Sequence, residues 1–287
     1  MITTTAPVLG LFIEALQSNP FLQMALLAGF AASIASGIIG SYVVVKRIVF
    51  ISGSIAHSVL GGMGICLWLK RTYGIEWITP IQGALIAAIV SALLIGWIHL
   101  KYRQREDTVI AALWSTGMAI GVVFIALTPG YNVELMNFLF GNILWVSKSD
   151  ISMLLCLDVI VLCITGLFHR KFLAICFDEK QALLQGVPVN ALYLLLLCLV
   201  AITVVLLIQV VGAILVIAML TIPAAIAGSW THRLSTIMII AVLLGWVFTL
   251  TGTAASYELN WPPGATISLT AAVLYSLNLI LSRKKSV

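Results

Sequence analysis

The amino-acid sequence predicts an all-α membrane protein, a polytopic bundle of about nine transmembrane helices built as one domain over residues 1–287. The first observation is composition, because 62% of the residues are hydrophobic and only 9% are charged. Soluble domains carry about 25% charged residues. The second observation is that the apolar residues lie in long runs, and the third is that most charged residues lie between these runs. A soluble core could not hide so much apolar surface, so the expected solvent is a lipid bilayer.

Nine apolar runs approach the length of about 20 residues that a helix needs to cross the hydrocarbon core. They lie at residues 21–45, 50–69, 79–100, 108–128, 151–168, 190–208, 210–230, 234–255 and 265–282. The sixth and seventh runs are nearly continuous, so we expect a tight turn at Gln209 and Gly212. The apolar segment 134–147 is too short to cross and is expected to lie at the interface or to re-enter the membrane.

The basic residues predict the orientation of the bundle. If the N-terminus is outside, all but three of the 15 Lys and Arg residues fall on the cytoplasmic side. The three exceptions are Lys70, Arg71 and Lys148. The positive-inside rule therefore places the N-terminus outside and the C-terminus in the cytoplasm. The basic excess is a topology signal, and no nucleic-acid partner is needed to explain it.

The sequence lacks the motifs of several common enzyme and nucleotide-binding sites. The chain has no GxxxxGK[ST], HExxH or GxSxG motif, so we expect no catalytic residue and no nucleotide site of its own. The five cysteines form no CxxC pair, and no permanently bound cofactor is expected. An ion-driven carrier would need more buried charge than this chain has. An intramembrane enzyme would have to rely on His57 and Asp158.

His57 is the first candidate for a functional residue, because ionisable side chains inside a membrane usually face a cavity or the bundle interior. Gly53, Gly61 and Gly64 share its helical face, which predicts close packing with another helix. The alternative is a histidine that serves only this packing. Asp158 lies near the middle of the fifth run, where it either bonds a neighbouring helix or belongs to a transport pathway.

A short helix is predicted at about residues 178–186, between the fifth and sixth spans on the cytoplasmic side. Asp178 suits the N-cap, and Gln181 follows three residues later as in a capping box. Gly186 suits the left-handed position after the helix, and Pro188 stops its continuation.

Ala182 and Leu183 are expected to be free to face a partner from this short helix. A capped helix on the cytoplasmic side is a suitable binding site for a partner protein that drives movement of the bundle. The alternative is a loop helix that only docks on its own bundle.

Five segments in chain order resemble the metal-ion ABC transporter permeases, the ABC-3 type membrane subunits that import zinc, manganese or iron(II). They are GSYVVVKRIVFISGSIAHSVLGGMGI, LFGNILWVSKSD, FDEKQALLQGVPVNALYLLLL, VVGAILVIAMLTIPAAIAGSW and SYELNWPPGATISL. The resemblance covers about residues 40–270. It implies a bacterial plasma-membrane protein that works with two cytoplasmic ATPase chains, an external metal-binding protein and a second permease chain, identical or related. The metal ion would be cargo.

The resemblance also implies site residues. His57 would line or gate the metal path, with Asp158 and Asn260 as further candidates, and the helix beginning at Asp178 would couple to the ATPase. Gly53 and Asn260 both stand where many family members have Asp, so other ligands such as Glu134 or Glu258 could replace them. A permease of the siderophore and cobalamin importers is the alternative function, although the segment around His57 fits it less well.

Overall fold

The computed structural model describes residues 14–102, 106–130, 138, 141 and 143–283. Among these residues, nine helices are long and apolar enough to cross a membrane, which agrees with the prediction. A much shorter helix, α6, lies between the fifth and sixth spans, and residues 14–18 before α1 are also helical. The helices are α1 (Pro20–Val45), α2 (Val49–Tyr73), α3 (Pro80–Tyr102), α4 (Glu106–Leu127), α5 (Lys148–Phe177), α6 (Glu179–Leu184), α7 (Val189–Val211), α8 (Ala213–Trp230), α9 (Leu234–Leu259) and α10 (Pro263–Arg283). Half of the segment predicted at 134–147 falls outside the described residues, and the part near its end forms a short 3-10 turn, Ile143–Trp145.

Two central helices hold the bundle together. α1 packs against α5, α8 and α9, and α7 packs against α2, α3 and α5. Around them lie a first helix group (α2, α3 and α4) and a second helix group (α8, α9 and α10). The largest fully buried side chains belong to these central contacts and include Tyr42, Phe172 and Tyr193.

Small residues bring helix backbones into close contact. A Cβ added to Gly37 of α1 would lie 2.7 Å from a methyl carbon of Val242 in α9. A Cβ added to Gly245 of α9 would lie 2.9 Å from the side chain of Ser33 in α1. Because lipid is as apolar as the side chains, packing of this kind supplies much of the attraction between membrane helices.

One end of the bundle carries Lys46, Lys101, Lys180 and Arg233, and we call it the basic end. At this end the hydroxyl of Tyr42 (α1) lies 3.1 Å from Nδ1 of His169 (α5), whose Nε2 lies 3.1 Å from Oγ of Ser235 (α9). The fifth span is longer here than the predicted 151–168, because α5 continues to Phe177. With 30 residues, α5 is about 45 Å long and extends beyond the hydrocarbon core.

The predicted tight turn between the sixth and seventh spans is confirmed. α7 ends at Val211 and α8 begins at Ala213, so Gly212 is the single residue between them. Its φ of 83° and ψ of 157° belong to a region that essentially only glycine adopts. The turn therefore requires glycine at this position.

Candidate functional site

The helix α6 begins as the sequence predicts. Oδ1 of Asp178 accepts hydrogen bonds from the backbone N–H groups of Lys180 (2.8 Å) and Gln181 (3.1 Å), so Asp178 is the N-cap. The reciprocal bond of a capping box is replaced, because the N–H of Asp178 donates to the carbonyl of Ala174 in α5. Asp178 thus ends one helix and begins the next, which fixes the angle at which α6 leaves α5.

The end of α6 is a Schellman motif. Gly186 has a φ of 77°, and its N–H donates to the carbonyl of Leu183 (3.0 Å). The N–H of Val187 donates to the carbonyl of Ala182 (3.1 Å), which closes the second ring of the motif. Pro188 then precedes α7. The predicted left-handed conformation of Gly186 is confirmed.

The exposed face of α6 differs from the expectation. Ala182 was expected to face a partner, and this is wrong for the single chain, because Ala182 is only 2% exposed and packs into the bundle. Leu183 is 65% exposed, as expected, and Leu184 is 88% exposed. Phe177 at the end of α5 is also exposed. We use the name apolar face of α6 for these three exposed residues, Phe177 at the end of α5 and Leu183 and Leu184 in α6.

Charged groups connect α6 to the rest of the bundle, and no pattern in the sequence predicts these contacts. Nζ of Lys46, at the end of α1, lies 2.5 Å from Oε1 of Glu179 and donates to the carbonyl of Ile175 at 2.7 Å. Nε2 of His99 in α3 lies 4.0 Å from the same carboxylate oxygen. Lys46 and Glu179 are 133 positions apart in the sequence, so no local pattern connects them.

His57 lies in α2 and stacks on Trp114 of α4. The ring centroids are 4.4 Å apart and the planes differ by 17°. His57 is half-buried, and the structure gives its ring no hydrogen bond within the described part of the chain. A Cβ added to Gly53, one turn away, would lie 3.3 Å from the Trp114 ring. Trp114 therefore occupies the space that a side chain at position 53 would need.

The other glycines on this face pack against α4. A Cβ on Gly61 would lie 2.9 Å from the carbonyl oxygen of Gly117, and one on Gly64 would lie 2.8 Å from that of Gly121. In return, a Cβ on Gly117 would lie 2.5 Å from the backbone of Ser58. The face of α2 that carries His57 thus lies against α4, and His57 reaches the edge of this contact.

Asp158 lies in α5 and is only 4% exposed. Within the part of the chain that the structure describes, neither of its carboxylate oxygens has a hydrogen-bond partner. The backbone of Ala35 in α1 faces the carboxyl group. A carboxylate is costly inside a membrane unless it is paired, protonated or hydrated. Binding of a proton, or contact with a partner group, would therefore lower the free energy of the Asp158 carboxylate.

Asn260 has a local role at the end of α9. It is exposed and adopts the left-handed conformation, with a φ of 55°, directly after the helix. Asparagine is among the few residues other than glycine that adopt this conformation readily. Glu258 is exposed on the preceding turn, whereas Glu134 lies outside the described residues.

The three candidates for a metal path lie on different helices and at different depths. His57 is about 12 Å along α2 from the basic end, Asp158 is about 15 Å along α5 from the opposite end, and Asn260 is at that opposite end. In the described part of the chain, no group of three His, Cys, Asp or Glu side chains could hold a metal ion. Within a single chain, His57, Asp158 and Asn260 therefore do not form one site.

A cavity of about 330 Å³ lies between α2, α3 and α7. Its lining includes Met63 and Gln209 but is otherwise apolar, formed by Val59, Pro80, Ile81, Ala84, Phe138, Val205 and Ile208. A divalent cation entering it would lose hydration without gaining enough oxygen or nitrogen ligands. This cavity is unsuited to hold the metal.

The nine spans, with the short capped helix α6 at one end of them, define a multi-pass membrane protein. The chain belongs to the ABC 3 transport family, which it matches over residues 18–282. It is 48% identical to a probable metal transport system membrane protein of Chlamydia trachomatis, over 92% of this chain and 90% of that protein. It is 33% identical to the manganese transport system membrane protein MntC of Halalkalibacterium halodurans, over 97% of this chain and 93% of the relative.

A solved structure supports the same assignment. PsaBC from Streptococcus pneumoniae, determined in complex with a Fab, contains a chain that matches this one with a TM-score of 0.81 at 29% identity. The match covers 94% of this chain and 95% of the other. Membership of this family makes the chain a transport component of an ABC system, whose ATPase and binding-protein partners are separate proteins.

Proposed function

We propose that this chain is the permease of an importer for a divalent transition metal, with zinc, manganese and iron(II) as candidate cargoes. Membership of the ABC 3 transport family carries the proposal. The names of the relatives support a metal as cargo, since one is a probable metal transport protein and another a manganese transport protein. Manganese is therefore the first metal to test.

The proposed contact with the ATPase is α6. Exposed leucines on a short helix at the basic end are costly in water, and such patches often mark binding sites for other proteins. Leu184 is the most exposed of them at 88%. A groove on the ATPase that covers the apolar face of α6 would remove this surface from water. The charge distribution supports a cytoplasmic location for the basic end, where such an ATPase would lie.

The contact can be tested with a matched pair of variants. Leu184→Asp places a charge on the apolar face, whereas Lys180→Asp places the same charge at another exposed position of α6. We expect Leu184→Asp to release the ATPase during co-purification and Lys180→Asp to retain it. Equal retention by both variants would reject α6 as the contact.

The metal path is proposed to lie between two permease chains. One chain offers His57 at the edge of a helix contact, and the described residues hold no three-ligand cluster. A second chain could supply further ligands to His57, and such a site would bind weakly enough to release its ion. Asp158 and Asn260 are proposed as further path residues, one near mid-membrane and one at the opposite rim. An external metal-binding protein would deliver the ion at that rim.

Metal uptake tests the proposal as a whole. Cells that lack this chain are compared with cells that carry it, using radioactive manganese, zinc and iron(II) in separate experiments. We expect the chain to restore uptake of at least one of these ions, and His57→Ala to abolish it while the protein remains in the membrane with its ATPase. His57→Asn keeps a side chain that can form hydrogen bonds but removes the imidazole ring, so it tests whether the ring itself is needed for uptake. Restoration of siderophore or cobalamin uptake instead would reject the metal assignment.

A further inference from the structure

The ion pair between Lys46 and Glu179 joins the helix proposed to bind the ATPase to a central helix of the bundle. Glu179 is the first residue of α6, and Lys46 is the C-cap of α1. Their charged atoms are 2.5 Å apart. The Lys46 side chain is 13% exposed and the Glu179 side chain 32%, so the pair is partly shielded from water. Shielded pairs are screened less by salt and interact more strongly than pairs on an open surface.

Lys46 is fixed by more than its charge partner. Its ammonium group also donates to the carbonyl of Ile175, in the last turn of α5, where backbone carbonyls lack helical partners. The same group lies 5.9 Å from the centre of the Tyr193 ring in α7. The Lys46 ammonium group thus contacts α5, α6 and α7 from the end of α1, and it lies where these four helices meet.

Glu179 also faces the first helix group. His99 of α3 lies 4.0 Å from the carboxylate, and its ring lies 4.7 Å from that of Tyr193. The start of α6 is therefore close to α1 on one side and to α3 on the other. The central helix α1 in turn contacts α8 and α9 along its length. A displacement of Glu179 would therefore pull on Lys46, at the end of α1.

We propose that Lys46 and Glu179 are positioning residues that transmit the movement of α6 to α1 when the ATPase closes. The proposal rests on the proposed contact between α6 and the ATPase. α6 has only six residues and is too short to be stable alone, so its movement must be passed on through its attachments. The backbone link to α5 is one attachment. The ion pair is the side-chain attachment that leads to α1.

The experiment uses the complete transporter, with ATPase and external binding protein, in proteoliposomes. Glu179→Gln and Lys46→Gln each remove one charge with little change in size, and the double variant K46E/E179K restores a pair with reversed charges. Lys180→Gln is the matched control on α6. Three quantities are measured: ATPase retained, ATP hydrolysed and manganese transported per ATP.

We expect each single variant to transport about tenfold less metal per ATP, a loss within the range of couplings found for contacting residues. The ATPase should stay bound and active, and the reversed pair should recover most of the loss. Normal transport per ATP in both single variants would overturn the proposal. So would a reversed pair no better than the singles, or release of the ATPase by the single variants, which would make the pair a docking element. Retention of the ATPase by Leu184→Asp would instead reject the underlying contact through α6.

Discussion

Replacing Gly186 by alanine tests how strongly the direction of α6 depends on one backbone conformation. Gly186 has a φ of 77°, and a Cβ added there would meet no atom within 4 Å. Alanine therefore adds strain without a clash. The left-handed conformation costs a residue with a side chain about 1–2 kcal/mol, which changes an equilibrium about 5- to 30-fold. Because a six-residue helix is marginal by itself, this shift should reduce the population of correctly directed α6.

Two control variants separate strain from other effects. Gly186→Asn keeps a residue that tolerates the left-handed conformation and should transport close to the wild-type rate. Gly166→Ala changes a glycine inside α5 that also has open space around its Cβ position, so it should be harmless. Gly186→Ala should lower metal uptake by up to about 30-fold at unchanged protein level, with less ATPase retained.

The assay is metal uptake and ATP hydrolysis by the complete transporter in proteoliposomes, normalised to the amount of permease. Wild-type uptake by Gly186→Ala would refute the role of the left-handed residue. An equal loss in Gly186→Asn and Gly186→Ala would refute the argument from backbone strain, because the two differ in their tolerance of this conformation.

Three further predictions concern the membrane interior. Gly117→Val should overpack the contact between α2 and α4 and destabilise the chain by about 1–3 kcal/mol, read as a lower melting temperature in detergent. Asp158→Asn should keep the stability within about 1 kcal/mol and reduce uptake far less than His57→Ala, because the carboxylate accepts no hydrogen bond from the described residues; a complete loss of uptake would place Asp158 at the centre of the path. Trp114→Ala should lower uptake by freeing the His57 ring, and Trp114→Phe should retain most of it; equal uptake by all three forms would reject the stacking as a positioning contact.

Local signals in the sequence predicted much of the fold. Nine spans follow from the length of apolar runs, and the two ends of α6 follow from the capping preferences of Asp178 and Gly186. α5 ends nine residues later than the predicted span 151–168. Hydrophobicity falls at Arg170 and Lys171, but the helix continues past them to Phe177, outside the hydrocarbon core.

Contacts between helices were harder to predict. In a membrane both the lipid-facing and the buried sides of a helix are apolar, so the sequence does not reveal which side packs. The stacking of Trp114 on His57 depends on such a choice. Ala182 lies in α6, which is not one of the spans, and it is buried while the more hydrophobic Leu183 and Leu184 are exposed, so hydrophobicity does not indicate the buried side of this helix. The pair formed by Lys46 and Glu179 depends on the whole topology between them, and Lys46 alone indicated only the orientation of its span.

The turn at Gly212 has a consequence for how the protein is made. With one residue between α7 and α8, there is no loop that could cross the bilayer separately. The N–H of Gly212 donates to the carbonyl of Ile208 in α7, and the carbonyl of Gly212 accepts from the N–H of Val216 in α8. Because the turn shares its hydrogen bonds with both helices, we expect α7 and α8, with 23 and 18 residues, to be inserted during synthesis as one hairpin.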